Sequence, residues 1–453
     1  MQPSELIIDR PDEGVFRVHR SSMTSHDLFE QERAKIFDHC WLYVGHESEV
    51  QKPGEYRRRT VADRPLIFIR GSDGQIRVLY NSCTHRGASV CQQDEGQATG
   101  FTCIYHAWRF NNKGELAGVS DQEGYGDNFN KAALNLKSPP RVEHYRGMYF
   151  VNYDSGAESL ESYISPVREL IDLTMDSAEV LGGWRILSGT AKYSIKANWK
   201  ILIENSYDGY HLPSVHQTYI DYLMWRQKKA SVQNPNPTGS DARDSSSLKR
   251  TRAYATKNGH GGFLYRAEGR AIANPSPLWP EETRREVLRV KSELIAKFGE
   301  QRARQMSEVS RTICIFPNFL FQDSQTGFRF RQIWPVAPDM IDVVQWDLVP
   351  RNEQQDLFDA RMEYSLAFLG PGGLATPDDA EALEQCQRGF AAREVEWSDI
   401  SRGMKRPAQM NDELQMRSFW RQWHAWLKGD PKNAFTDDID RGAGNSLLIN
   451  LEA

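Results

Sequence analysis

The chain has little cysteine, no long apolar run and no excess of charge of one sign. Only 6 of its 453 residues are cysteine, too few for the disulfide framework of a small secreted protein. No stretch approaches the roughly 18 consecutive apolar residues of a membrane span. Because 56 basic and 61 acidic residues nearly balance, no global positive field favours a polyanion. We therefore expect no membrane and no nucleic-acid partner.

The remaining composition is typical of a folded protein with more than one domain. Residues 1–6 lack a charged region followed by an apolar core, which predicts a cytoplasmic protein. Short β-rich runs separated by turn residues predict an all-β domain over 40–155. Mixed strand and helix patterns predict an α+β domain with an antiparallel sheet over 156–453. Within it, the Pro/Gly/Ser-rich stretch 234–247 predicts a mobile loop or lid.

Two closely spaced Cys/His pairs lie in the all-β segment, Cys83-Thr84-His85 and Cys103-Ile104-Tyr105-His106. Phe101–Tyr105 is predicted as a strand, so each pair would lie at a loop tip between strands. Two thiolates and two imidazoles suit an iron–sulfur cluster in which cysteines hold one iron and histidines the other. A structural zinc accepts the same four ligands and is the alternative. Cys91 lies outside both pairs and is interpreted as a buried core thiol.

A second set of candidate ligands lies in the α+β segment. His211 and His216 are five residues apart, about 140° around an ideal helix, so they would converge only if Pro213 distorted that helix. Two histidines and one carboxylate on one face of Fe(II) form the facial triad of non-haem oxygenases. Asp208 precedes His211 by three residues and is better placed to hydrogen-bond an imidazole than to bind metal. Without any family comparison, Pro377-Asp378-Asp379 is interpreted as the N-terminal cap of a helix over 380–390.

These motifs together resemble the large (alpha) subunits of Rieske non-haem iron ring-hydroxylating oxygenases. The first Cys/His pair is followed by Arg86-Gly87 and the second by Ala107-Trp108, as in the Rieske motif of that family. The resemblance implies that two cysteines bind one iron of a [2Fe-2S] cluster and two histidines the other, namely Cys83, Cys103, His85 and His106. It also implies a mononuclear Fe(II) held by His211, His216 and Asp379, with Asp378 as the second choice for the carboxylate.

The same resemblance implies the fold, the assembly and the substrate pocket. The fold would be α+β, with an all-β Rieske domain and a helix-grip (START-like) catalytic domain on which residues 1–39 pack. The alpha subunits would form an α3 trimer or, with a small beta subunit, an α3β3 assembly. Asp208 would act in catalysis by bridging to His106 of a neighbouring subunit. The positions that match the family's pocket are Asn205, Ser206, Leu212, Leu369, Leu374 and Ala375.

The activity implied is cis-dihydroxylation of an aromatic compound with O2 and electrons from a reductase or ferredoxin. The segment 204–211 looks closest to benzoate-type large subunits, which favours an aromatic carboxylic acid. Such a substrate needs a cation in the pocket wall, for which Arg226 and Arg331 are candidates. The alternatives are a neutral or polycyclic arene and ring monohydroxylation. From other classes, a Rieske electron carrier without oxygenase activity and a zinc-stabilised ligand-binding protein remain open.

Overall fold

The computed structural model describes residues 6–233, 251–267, 270, 274–275, 279–324, 327–434, 448–449 and 451. The predicted loop over 234–247 lies outside the described residues. The chain divides into two compact units, a smaller one over Ile36–Tyr163 and a larger one that combines Met1–Lys35 with Ile164–Ala453. The first residues therefore group with the C-terminal part of the chain.

The N-terminal segment contains the hairpin of β1 (Ile7–Arg10) and β2 (Val15–His19), followed by α1 (His26–Glu32). Ser25 begins α1 as its N-cap, because its hydroxyl accepts a hydrogen bond from the amide of Leu28. At the end of α1 the buried carboxylate of Glu32 accepts hydrogen bonds from Trp199, Lys200 and Trp423. These contacts tie the segment to the larger unit.

The smaller unit is built from ten short antiparallel strands. They are β3 (Leu42–His46), β4 (Glu55–Val61), β5 (Arg64–Arg70), β6 (Ile76–Tyr80), β7 (Glu95–Gln97), β8 (Gly100–Thr102), β9 (Arg109–Asn111), β10 (Leu116–Gly118), β11 (Arg141–Tyr145) and β12 (Met148–Asn152). They form sheets of order β6-β5-β4-β7, β10-β9-β8 and β11-β12-β3. The first two of these sheets share a hydrophobic cluster that contains Ile67, Ile69, Trp108 and Phe110 together with Cys83 and Cys103.

The first helix after the last strand of the smaller unit is α2, and its final residue already belongs to the larger unit. They are α2 (Leu160–Ile164), α3 (Arg168–Asp176), α4 (Trp199–Ser206), α5 (Leu212–Val215), α6 (Gln217–Gln233), α7 (Glu281–Phe298), α8 (Glu300–Glu308), α9 (Gln355–Phe368), α10 (Thr376–Gly389) and α11 (Leu414–Lys428). α7 follows the apolar positions of an amphipathic helix, with Val287, Val290 and Leu294 buried. The helix predicted over 380–390 begins earlier, at Thr376.

All but one of the strands after the smaller unit form one long antiparallel sheet, and the last strand adds to the N-terminal hairpin. They are β13 (Trp184–Ile186), β14 (Ala191–Ile195), β15 (Thr251–Ala255), β16 (Gly261–Arg266), β17 (Val309–Ile315), β18 (Phe319–Ser324), β19 (Gly327–Ala337), β20 (Met340–Pro350) and β21 (Trp397–Asp399). The sheet has the order β13-β20-β19-β18-β17-β16-β15, with β14 also on β20, whereas β21 pairs with β2. α4 and α9 both contact β19, and α11 contacts β15 and β16. The predicted α+β class, with an all-β part and helices on an antiparallel sheet, is confirmed.

Candidate metal centres

The two Cys/His pairs of the smaller unit lie on two loops with the same backbone hydrogen bonds. In the first loop the amide of Cys83 donates to the carbonyl of Ala88, and the amide of Gly87 donates to the carbonyl of Cys83. In the second, the amide of Cys103 donates to the carbonyl of Trp108, and the amide of Ala107 donates to that of Cys103. The fourth residue after each cysteine has a positive φ, 81° at Gly87 and 56° at Ala107. The second loop ends β8 at Thr102, so the strand predicted over Phe101–Tyr105 is too long.

The loops bring the two imidazoles together over a tryptophan. The rings of His85 and His106 lie 4.6 Å apart, and His85 stacks on Trp108 at 4.7 Å with 7° between the planes. The Nδ1 atoms of both histidines are buried, and neither has a hydrogen-bond partner in the described part of the chain. Buried nitrogens of this kind are normally satisfied. Burial, together with the nearby His106 and Arg86, lowers the pKa of His85, which favours the neutral imidazole that ligates metal.

The thiols complete this donor set. Cys83 and Cys103 are buried, neither forms a disulfide, and burial is the main cause that raises the pKa of the Cys83 thiol above its ordinary value. Two buried thiols beside two unpartnered imidazole nitrogens are the four donors that a Rieske-type cluster requires. The residues therefore fit such a cluster. Cys91 stands apart, since its buried Sγ donates to the carbonyl of Gln93 at 3.4 Å.

The second donor set lies in the larger unit, where α5 is a single turn. His211 directly precedes α5, and His216 directly follows it with a non-helical backbone at φ −100° and ψ 33°. Pro213 occupies the first turn, where the missing amide removes no helical hydrogen bond. The prediction that Pro213 distorts a helix between the two histidines is therefore wrong. They converge because α5 is short and ends before His216.

Both histidines face the first turn of α10. The Nε2 atoms of His211 and His216 lie 3.1 Å apart, and each is 3.4 Å from Oδ1 of Asp379. One donor atom from each of the three residues lies within 4.8 Å of the others, the only such grouping of ligand residues in the part of the chain that the structure describes. Asp378 is outside this group. Two imidazoles and one carboxylate on one side are the donor set of a facial triad, so these residues fit Fe(II).

Neighbouring side chains hold the three donors in place. Oδ2 of Asp208 lies 3.2 Å from Nδ1 of His211, which leaves Nε2 of that ring for the metal side. The side-chain amide of Asn205 donates to Oδ1 of Asp379 at 3.0 Å. Burial is the main cause that lowers the pKa of His216, and its ring packs edge-on against Phe368 at 5.8 Å. The site thus holds two positioned imidazoles beside an oriented carboxylate.

A partly buried carboxyl near this site escaped the sequence analysis. Glu204, at the end of the largely apolar α4, accepts a hydrogen bond from the indole of Trp420. Burial raises the pKa of Glu204 to about 8, and that of the nearby Glu413 to about 7. The sequence signal that could have identified Glu204 is an acidic residue within an apolar helical run, directly before Asn205. The surroundings of Glu204 therefore favour its protonated form.

The six predicted pocket residues lie at the end of α4 and on the segments around α5 and before α10. Asn205 and Ser206 end α4, Leu212 begins α5, and the remaining three precede α10. That last segment folds back onto the end of α9, because the amides of Leu374 and Ala375 donate to the carbonyls of Ala367 and Phe368. Gly373 permits this approach, since a Cβ there would lie 2.5 Å from the carbonyl oxygen of Phe368. Ala375 is fully buried, and Leu369 and Ser206 are each 9% exposed.

Each donor set lies within a part of the chain that matches a known family. Residues 183–429, more than half of the chain, match the family described as ring hydroxylating alpha subunit (catalytic domain). The chain belongs to the ring-hydroxylating alpha subunits. Residues 40–138 of this alpha subunit match the Rieske [2Fe-2S] domain. It is therefore an oxidoreductase subunit with a Rieske [2Fe-2S] domain and a catalytic domain that binds mononuclear iron in this family.

Individual relatives cover most of the alpha subunit. It is 31% identical over 412 residues to toluate 1,2-dioxygenase subunit alpha of Pseudomonas putida, covering 90% of this chain and 86% of the relative. It is 30% identical over 407 residues to 2-halobenzoate 1,2-dioxygenase large subunit of Burkholderia cepacia, covering 88% and 83%. Its fold matches a structure of naphthalene 1,2-dioxygenase with bound indole, with a TM-score of 0.77, 23% identity and 98% of each chain covered. Within the described residues, no helix is long and apolar enough to cross a membrane.

Proposed function

We propose that this alpha subunit is the oxygenase component of a dioxygenase that cis-dihydroxylates an aromatic carboxylic acid. The convergence of His211, His216 and Asp379 carries the oxygenase assignment, because an electron carrier has no use for a second donor set with a facial-triad composition. Two relatives named for toluate and 2-halobenzoate support a substrate with a ring carboxylate. The reaction consumes one arene, both atoms of O2, two electrons and two protons, and it forms two C–O bonds on one face of the ring.

In this proposal each donor set has its own iron. The [2Fe-2S] cluster is assigned to Cys83, Cys103, His85 and His106, and Fe(II) to His211, His216 and Asp379; the buried unpartnered nitrogens and the short donor distances support the assignment. Fe(II) supplies the binding and reduction of O2. Asn205 orients Asp379, and Phe368 packs on His216. The pocket wall is assigned to Asn205, Ser206, Leu212, Leu369, Leu374 and Ala375.

Asp208 is proposed to connect the two kinds of centre. Its Oδ2 contacts Nδ1 of His211 and its Oδ1 accepts a hydrogen bond from the amide of Tyr210, and the partly exposed side chain leaves room for a further contact from another subunit. The family resemblance assigns that partner to His106 of a second alpha subunit. This role requires an assembly, and we propose an α3 trimer, alone or with a small beta subunit as α3β3.

Electrons are proposed to enter from a reductase or ferredoxin at the loops of the smaller unit. Ile104 and Tyr105, beside His106, are 75% and 59% exposed. Exposed apolar side chains in such a position suit a protein partner. We also propose domain boundaries of 40–155 and 156–453, with residues 1–39 part of the catalytic domain, which the two compact units support. A cytoplasmic location remains a prediction from the sequence.

Product analysis tests the proposed reaction. The purified oxygenase, with iron content verified, is supplied with a compatible reductase and a panel of benzoate, substituted benzoates, toluene and naphthalene. We expect cis-diols of the benzoates with one O2 consumed per product. Preferential oxidation of the neutral arenes would replace the proposed substrate class, and a product with one added hydroxyl would replace dihydroxylation by monohydroxylation. Electron transfer without O2 uptake by iron-replete protein would contradict the oxygenase assignment.

A further inference from the structure

Two buried arginines lie on one face of the central sheet. Arg329 and Arg331 are alternate residues of β19, so their side chains leave the strand on the same side. Arg329 is 0% exposed and Arg331 3%. A guanidinium stays charged in a protein, and burying it without a partner is costly. Whether each guanidinium is neutralised therefore depends on the groups that surround it.

Arg329 is neutralised by its neighbours. It pairs in register with Asp347 of β20, and its Nε lies 3.4 Å from Oδ1 of that carboxylate. Its Nη2 donates to the hydroxyl of Ser365 on α9 at 2.8 Å, and that hydroxyl donates to Asp347 at 2.9 Å. Arg329 is therefore part of a closed structural network between the sheet and α9.

Arg331 has no such carboxylate. Its register partner on β20 is Gln345, whose neutral Oε1 accepts a hydrogen bond from Nη2 at 3.3 Å. Its Nε is buried without a hydrogen-bond partner. No carboxylate oxygen of a described residue lies within 4.0 Å of its guanidinium nitrogens. A buried cation with a free donor, whose side-chain hydrogen bond within the described residues goes to a neutral amide, is suited to receive an anion.

The location of this cation connects it to the pocket wall. The same sheet face contacts α9 through Ser365, and α9 ends at Phe368, the residue that packs on His216. The segment that follows contains the pocket residues Leu369 and Leu374, and a Cβ placed on Gly370 would lie 3.9 Å from Nε2 of Gln345. Gln345, the hydrogen-bond partner of Arg331, therefore lies beside the segment that carries these pocket residues.

We infer that Arg331, assisted by Gln345, binds the carboxylate of the aromatic substrate and so determines specificity for aromatic acids. This inference rests on the proposed function. The free Nε of this guanidinium can donate a charge-assisted hydrogen bond to a carboxylate oxygen. Arg226, the other candidate from the sequence, already pairs with Glu363 at 2.9 Å and packs on the ring of Tyr364. It has no need of a ligand.

Ligand binding to the iron-loaded oxygenase tests the inference without turnover. Calorimetry would compare benzoate with benzamide, a neutral molecule of nearly the same shape, for the wild type, Arg331→Gln, Arg331→Lys and, as control, Arg226→Gln. We expect Arg331→Gln to lower the ratio of benzoate to benzamide affinity on the order of 100-fold, because a buried charge-assisted hydrogen bond is lost. Arg331→Lys is expected to recover part of that loss, and Arg226→Gln to leave the ratio unchanged.

A second variant gives Arg331 an internal partner and does not depend on removing the arginine. Gln345→Glu has nearly the same shape and copies the pairing of Arg329 with Asp347. We expect it to raise the melting temperature and to weaken benzoate binding, since the new carboxylate occupies the cation. A gain in stability together with a loss of affinity for the acid is not the result of general damage to the fold.

The outcomes separate the inference from the proposed function. If the wild type oxidises benzoates, and if both Arg331→Gln and Gln345→Glu bind benzoate as tightly as the wild type, Arg331 is not the anchor and the proposed function stands. Loss of benzoate preference in Arg226→Gln alone would likewise overturn the inference. If iron-replete wild type binds and oxidises neutral arenes but no acid, both the substrate class and the role of Arg331 are wrong.

Discussion

The loops of the smaller unit and the iron site of the larger unit are built in opposite ways. Each loop is local, with its cysteine and histidine within four residues and the same pair of backbone hydrogen bonds around the cysteine. The iron site instead joins residues far apart in the chain, and Asn205 and Asp379 are in contact although 174 residues separate them. The first kind of site depends on turn geometry, whereas the second depends on the packing of α4, α5 and α10. Substitutions should therefore affect the two centres independently.

The largest effect is expected for Asp379→Ala. Loss of the carboxylate from the three donors should remove the mononuclear iron and reduce turnover to background, while the visible spectrum of the cluster remains. Metal analysis should show about two irons per chain instead of about three. Asp378→Ala is the matched control and should keep full iron, because Asp378 is outside the donor group. Loss of iron in Asp378→Ala but not in Asp379→Ala would identify Asp378 as the ligand instead.

Asp208→Ala should separate metal binding from turnover. Both centres should stay loaded, because Asp208 contacts His211 only through Nδ1. We expect coupled oxygenation to fall on the order of 100-fold or more, since the link between cluster and iron is lost. Rapid-mixing spectroscopy of the reduced cluster would show its reoxidation slowed in the variant. Normal reoxidation and turnover with full iron would refute the bridging role.

The sequence made the loops predictable but left parts of the iron site open. Local spacing identified Cys83, His85, Cys103 and His106 as one donor set because such loops need no distant contact. The residues alone did not choose between Asp378 and Asp379, which both lie in the first turn of α10; the family resemblance favoured Asp379, and the fold brings its Oδ1 within 3.4 Å of both imidazoles. The choice between Arg226 and Arg331 as a pocket cation depended on the register of β19 against β20. One sequence does not reveal strand register of this kind.

Glu204→Gln should produce a smaller effect that depends on pH. The folded protein raises the pKa of Glu204 from 4.5 to about 8, so folding favours its protonated form. The stability from this group is complete below about pH 4.5 and is lost as the pH rises through about 8. Thermal unfolding between pH 5 and pH 8 should therefore show the wild type losing stability relative to Glu204→Gln, which cannot ionise. Parallel pH profiles for the two proteins would show that the carboxyl is not buried as described.

The smallest effect is expected for Cys91→Ala. This thiol is buried in the core of the smaller unit but lies outside both loops, so its loss should cost about 1 kcal/mol of stability and leave the cluster intact. Denaturation and the visible spectrum together check this. Loss of the cluster in Cys91→Ala would mean that the ligand set assigned to the loops is incomplete.

Iron and acid-labile sulfide content of the purified wild-type chain tests most directly whether one polypeptide holds two separate iron centres. We expect about three irons and two sulfides per chain, with two irons in the cluster and one in the catalytic domain. If a fully folded preparation contains two irons and two sulfides per chain and takes up no more iron, the protein is an electron carrier without a catalytic iron. Zinc with neither iron nor sulfide would contradict both centres.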